Sequence, residues 1–249
     1  MPFELSPPFT PLPHTDTSLA ERGFAVLSPG ALGQLLGTPD GFPLGAWRAH
    51  WDDLPDDPHL RDVGRYRKRR HGSFLVEGER VTPVTHRAHW QPVDYNALHG
   101  GIERWFEPLP EALTSDPLWS RLLARLTERA SGLRSAAGPW HVEAHAFRID
   151  TSSGIGRPTP EGAHRDGVDL VAVILMDAAG IKGGETRVFD ATGPAGQRFT
   201  MGEPGTTLLL DDARTIHETT PIQPAPAGAD GHRDTLVLTW RLEGFQEPY

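Results

Sequence analysis

The pattern His-x-Asp occurs four times in this 249-residue chain, at His14–Asp16, His50–Asp52, His164–Asp166 and His232–Asp234. Residues two apart on an extended strand point the same way, so each pair could present two metal ligands to one point. With 12 His and 18 Asp, the composition gives roughly one such pair by chance. Context has to choose. His14–Asp16 sits in a proline-rich leader, His50–Asp52 precedes a loop, and no His follows His232–Asp234. His164–Asp166 lies between the Gly/Pro stretch 154–162 and the most apolar run of the chain, and His217 and then Arg233 follow it. Two His and one carboxylate on one side of an ion leave coordination positions open, a donor set suited to Fe(II) taking a bidentate 2-oxo acid and then dioxygen. Arg233 could clamp the far carboxylate of that acid through its planar fork, and the hydroxyl of Thr235, on the same strand face, could share it. The competing view makes the His and Asp ordinary loop and strand-end residues, and pairs Arg233 with a neighbouring Asp.

Composition removes several other chemistries. The chain has no cysteine, which excludes disulfides, thiolate zinc sites, iron–sulfur clusters and a cysteine nucleophile. It contains no G-x-S-x-G, no Walker loop and no dinucleotide fingerprint. A net charge of −9 argues against nucleic acid as a partner. The exception is the basic run from Arg65 to His71, read either as a solvated face or as the mouth of a site where Tyr66 and Arg70 meet a substrate carboxylate. Glu161, beside the ligand pair, could receive a substrate ammonium or order its own loop. Glu143, His145 and Arg148 sit on one predicted strand and are read as a hydrogen-bond network, with Arg148 a candidate substrate contact. The longest apolar run, Leu170 to Met176, is too short to span a bilayer, and the first residues carry no basic start or apolar stretch. A cytoplasmic protein acting on a small molecule is expected.

The elements that would position these residues fall into two halves. Residues 1–17 read as a flexible leader, and Ser18 to Glu21 as a capping box opening a short helix that Gly23 stops. A strand at 24–27, a short helix at 31–36 and loops through 58 follow. Leu118, Leu122, Leu123 and Leu126 recur at helical spacing, predicting a helix over about 116–133. From residue 141 onward strands at 141–149, 168–176, 186–189, 206–210 and 235–242 are separated by Gly- and Pro-rich turns. Short strands without helices between them predict an antiparallel barrel or jelly roll. The expected organisation is a helical or mixed part, 18–140, packed on a β core, 141–249, in one structural domain.

The stretch Pro160-Glu161-Gly162-Ala163-His164-Arg165-Asp166-Gly167 resembles 2-oxoglutarate/Fe(II)-dependent dioxygenases, in particular the branch of bacterial free L-amino-acid hydroxylases of the isoleucine dioxygenase type. Gly183-Gly184-Glu185-Thr186, Leu210-Asp211-Asp212 through His217, and His232-Arg233-Asp234 are similar to that branch too, as are Asn96 to Pro108 and the Arg/Tyr cluster at 65–70. The resemblance covers about residues 20–242. It implies a mainly β fold with flanking helices and a double-stranded β-helix core. It also implies Fe(II) on His164, Asp166 and His217, 2-oxoglutarate anchored by Arg233, dioxygen as co-substrate, and hydroxylation or sulfoxidation of a free L-amino acid. The gap from His217 to Arg233 is longer than in many dioxygenases, so Arg241, on the same strand face, stands as the alternative anchor. Three other readings stay open: an oxygenase acting on a residue within a peptide, a jelly-roll enzyme using Zn or Mn, and a non-catalytic ligand-binding barrel.

Overall fold

Strand β12 (His232–Arg241) sets the plan of the molecule. Its Leu236, Leu238 and Trp240 belong to one apolar core, whereas Arg233, Thr235, Val237 and Thr239 line a cavity on the opposite face. In the computed structural model, which describes residues 5–38, 41, 44–60, 66–96, 98, 100–225 and 230–248, this strand runs antiparallel between β4 (Trp140–Asp150) and β5 (Leu170–Ala179). Outside β4 lie β2 (Arg67–Glu77) and β3 (Arg80–Pro83). Outside β5 lie β9 (Thr207–Asp211) and β1 (Phe24–Leu27), which completes a seven-stranded sheet ordered β1-β9-β5-β12-β4-β2-β3. A second sheet has the order β10 (Thr215–Thr219), β7 (Glu185–Asp190) and β8 (Gly196–Thr200), and β6 (Ile181–Gly183) pairs with β11 (Ile222–Pro224).

Period-2 alternation explains both cores. On β5, Leu170, Ala172, Ile174 and Met176 join the core shared with the helices, while Val171 and Leu175 pack against Val188, Phe199 and Met201 of the small-sheet side. A strand covered on both faces must be apolar throughout, which is why 170–176 reads as an unbroken run. The helical layer is led by α4 (Pro117–Arg134). The Asp116 carboxylate accepts the Leu118 N–H at its start, and Trp119, Leu122, Leu123 and Leu126 are buried against the sheet. Truncating any of these leucines to Ala would cost about 2–5 kcal/mol. The jelly-roll arrangement of two antiparallel sheets with helices on the outer face matches the expectation. Among the described residues, no helix is long and apolar enough to cross a membrane.

Several local expectations need correction. The first helix, α1 (Thr15–Arg22), begins before Ser18. That hydroxyl is no cap but donates to the Phe24 carbonyl at 2.8 Å. The stretch read as loops through 58 contains α3 (Leu44–Asp52), following α2 (Pro29–Leu35), and buries Trp47 and Trp51. Leu44, Trp47 and Trp51 carry the i, i+3, i+7 spacing of a helix, masked by the prolines and aspartates around them. The Trp51 indole N–H reaches the carbonyls of Phe147 (3.1 Å) and Thr235 (3.2 Å), beside a register shift at Asp234/Thr235 in β12. The largest correction concerns the basic run. Most of it, 67–71, forms the start of β2, an inner strand of the sheet. Arg65 and the residues just before it lie outside the described residues.

Candidate active site

His164 and His217 are brought together by their own backbones. Each donates its N–H to the other's carbonyl at 3.0 Å, an isolated antiparallel bridge between the loop before β5 and strand β10. Their rings sit 4.6 Å apart, centre to centre. His164 donates from Nδ1 to the Gly162 carbonyl at 2.9 Å, which turns Nε2 toward Asp166. The Asp166 oxygens stand 3.8 Å from Nε2 of each histidine. That distance is too long for a hydrogen bond, so these donors are not spent on one another and would be free to hold an ion. Burial and the charge of His164 push His217 down to about 3, so its imidazole is neutral with a lone pair to give. Burial and the nearby Glu161 push the Asp166 carboxyl up, as expected where carboxylates face each other without a cation.

The loop carrying Asp166 is fixed from behind. The carboxylate of Asp212 accepts the backbone N–H groups of Asp166 (2.9 Å), Gly167 (2.7 Å) and Val168 (3.1 Å). Gly167 has φ +76°, and a Cβ there would lie 2.5 Å from the Tyr95 ring. Only glycine permits that approach. From the C-terminal segment, Gln246 donates its amide to the carbonyls of Asp166 (3.2 Å) and Gly167 (2.9 Å).

Three His/carboxylate clusters among the described residues have the composition of a metal site: His71, His89, Glu143 and His145; His164, Asp166 and His217; and Asp177, His232 and Asp234. Arginines close two of them. Arg87 and Arg69 reach Glu143 (3.4 Å) and His145 (2.9 Å), while Arg48 and Arg148 pair with Asp177 and Asp234. No arginine among the described residues bonds to the His164 cluster, so its donor atoms alone remain available to an ion.

The triad opens into a cavity of about 130 Å³. Arg233, 5% exposed, lies on its wall, and among the described residues its guanidinium hydrogen-bonds to the Met201 sulfur alone, at 3.9 Å. Burial pulls this group down to about 10, so it remains a cation, and no carboxylate among the described residues pairs with it. Thr235 lines the same wall. The two histidines, the carboxylate and the buried guanidinium fit the demands of Fe(II) and a 2-oxo diacid.

The sequence model of the 2OG-Fe dioxygenases matches residues 48–239. The chain belongs to that family. This dioxygenase is therefore an oxidoreductase using Fe(II) and 2-oxoglutarate. A solved structure of a bsmA homologue from Methylobium petroleophilum PM1 is 51% identical, with 98% of each chain covered and a TM-score of 0.89. Two more distant structures share the fold. IDO from Bacillus thuringiensis is 16% identical, with 94% of this chain and 99% of that one covered and a TM-score of 0.70. The Fe(II)/α-ketoglutarate-dependent dioxygenase TqaL is 18% identical, with 94% and 91% covered and a TM-score of 0.71. No curated protein matches the sequence.

Of the other residues singled out in the dioxygenase sequence, Glu161 lines the cavity. Its Oε1 is 3.5 Å from His164 Nε2 and its Oε2 has no partner among the described residues. Arg241 lies elsewhere, donating to the Gly244 carbonyl at 2.8 Å and flanked by Glu243. Eight residues along a strand at about 3.3 Å each separate it from Arg233, so sharing a face does not bring it to the cavity. Arg148 is on the helix-facing side of β4, where it holds Asp234 bidentately (2.8 and 2.7 Å) and Asp52. Arg70 is on the helix-facing side of β2, paired with Glu107 at 2.8 Å. Tyr66 packs with Ile149 and Ile222 and is not among the cavity-lining residues.

The opposite parity of β2 supplies what the sequence reading missed. Arg67 and Arg69, with Arg104, Gln91 and Gln246 from irregular segments, line the dioxygenase cavity. Glu143 and His145 do form the expected network. Burial would raise the Glu143 carboxyl, but His89 and His71 more than offset this and hold it well below the usual carboxylate range. His71 and His89 stand 3.1 and 3.0 Å from its two oxygens. Burial pushes His89 down to about 3, so the ring donates as a neutral imidazole.

Proposed function

We propose that the enzyme oxidises a small substrate, a free L-amino acid, with His164, Asp166 and His217 holding Fe(II) and with Arg233 and Thr235 holding the distal carboxylate of 2-oxoglutarate. The observation that carries this reading is Arg233, a buried guanidinium that pairs with no carboxylate among the described residues, on the wall of the cavity that contains the His164–Asp166–His217 triad. Burying a lone cation is costly, so the fold keeps one where a ligand supplies the anion. When bound, Fe(II) and 2-oxoglutarate let dioxygen place one oxygen on the substrate and the other in succinate, with release of carbon dioxide. The protein does the rest. Asp212 and Gln246 hold the ligand loop in register, the Gly162 carbonyl fixes the His164 tautomer, and the walls keep bulk water from the reacting carbon. The cavity is small, and Glu161 offers it an unpartnered oxygen, which suits a substrate ammonium.

The test is aerobic incubation with Fe(II), ascorbate, 2-oxoglutarate and a pool of free L-amino acids, followed by mass spectrometry. The expected products are succinate and one amino acid heavier by a single oxygen, on carbon or sulfur. Succinate formed only in the presence of peptides would move the substrate to a residue within a chain. Folded, iron-loaded protein that makes no succinate with any substrate would overturn the assignment of the metal and 2-oxoglutarate residues.

A further inference from the structure

Away from Arg233, the wall built by β2 and the irregular segment at 104 carries three more guanidinium groups. Arg67, Arg69 and Arg104 are 5%, 4% and 2% exposed, and all three line the cavity. Each has a buried N–H without a partner among the described residues: Nη2 of Arg67, Nε of Arg69 and Nε of Arg104. Their other contacts fix the groups without neutralising them. Arg67 donates from Nε to Asp57 at 2.7 Å, the one carboxylate among the described residues that is bonded to any of the three. Arg69 lies between the Phe106 and Phe147 rings, 4.0 and 4.5 Å from their centres, and reaches Nδ1 of His145 at 2.9 Å. Arg104 donates from Nη2 to the Gln91 side-chain oxygen at 2.7 Å. Glu143 on the same wall is already taken up by His71, His89 and Arg87. Burial and the charge of Arg104 pull Arg69 well below its ordinary value, and burial and the charge of Arg67 pull Arg104 to about 10. Three buried cations thus share one carboxylate, with unmatched N–H groups beside a cavity.

We propose that Arg67, Arg69 and Arg104 form an anion subsite that holds a carboxylate of the substrate, separate from the 2-oxoglutarate carboxylate at Arg233. This rests on the proposed reading of the metal triad and Arg233. A planar guanidinium clamped between two rings gives up little freedom on binding and discriminates a carboxylate from a neutral group of the same shape. The subsite also fixes where the substrate lies. Gln91 accepts from Arg104 and donates to the Asp166 carboxylate at 3.2 Å, so the anion site is two hydrogen bonds from the metal ligands. The carboxylate sits at β2, and the rest of a short substrate extends toward the triad, past the unpartnered Glu161 oxygen.

The experiment uses protein loaded with Fe(II) and 2-oxoglutarate under nitrogen. It is titrated by calorimetry with three matched pools: L-amino acids, their carboxamides, and the corresponding acids without the amine. The expected result is binding of carboxylates and a loss of about 100-fold or more for the carboxamides. R69Q and R104Q, each checked by circular dichroism, should weaken carboxylate binding about 100-fold while leaving 2-oxoglutarate affinity unchanged. R233Q should do the reverse. Binding of amine-free acids alone would uphold the subsite while removing the amino-acid reading. Carboxamides binding as well as acids, full carboxylate affinity in R104Q, or no carboxylate binding to the loaded protein would each overturn the inference.

Discussion

The cavity has two clusters of histidine and carboxylate that look alike in composition and behave in opposite ways. Around Glu143, the partner atoms approach to 3.0–3.1 Å, every ring is buried and two arginines occupy the remaining directions. Around Asp166, the corresponding distances open to 3.8 Å and no arginine intrudes. The first cluster satisfies itself and stiffens a wall. The second is incomplete without an ion. What separates a structural network from a metal centre here is therefore not residue type but who supplies the positive charge, a guanidinium or a metal.

That contrast can be broken from either side. His217→Ala should lower succinate formation by more than about 1,000-fold and abolish tight iron binding, with the urea midpoint of the metal-free protein little changed. Retained iron affinity would refute the open cluster. Glu143→Leu should do the converse. Iron binding persists, but removing the carboxylate strands buried donors and should cost about 3–5 kcal/mol of stability, read from denaturant unfolding. An unchanged midpoint would show that the closed cluster is not the stabilising unit described.

The smallest effect is a pH dependence. His89 has an ordinary value of 6.5 and is held at about 3 in the fold, so between those pH values the unfolded chain binds a proton that the fold refuses. The contribution is complete above 6.5 and is lost as pH falls, by about 2 kcal/mol between pH 6.5 and 5. The Glu143 carboxyl stays ionised in both states across that window, because its ordinary value of 4.5 is already below it. H89Q keeps a neutral donor and should flatten this slope. A slope unchanged in H89Q would assign the titration to other groups.

That His164, Asp166, His217 and Arg233 meet at one cavity was legible because they sit in a strand-rich region where order along the chain and period-2 spacing carry most of the information. The choice of Arg70 over Arg69 shows where such reading fails and how it could have succeeded. Arg67, Lys68, Arg69 and Arg70 are all basic and look equivalent by type, yet Phe74 and Val76 share the parity of Arg70 and belong to the helix-side core. The even positions of β2 therefore face the helices, and 67 and 69 face the cavity. The same rule separates Arg148 from Glu143 and His145. Gln91, Arg104, Asp212 and Gln246 follow no period. They reach the site from loops or irregular segments, through hydrogen bonds between residues far apart in sequence, which no local pattern encodes.

Asp212 gathers the amides of three successive residues onto one carboxylate, across 44 to 46 positions of chain. On this side of the loop one side chain carries all three bonds, and Gln246 adds two more from the C-terminal segment. If the corner after β9 parts from that loop, the amides of Asp166, Gly167 and Val168 lose their acceptor together, while the seven-stranded sheet stays paired. Local opening at that corner would therefore be felt by the three residues of the Asp166 loop at once, without the protein unfolding.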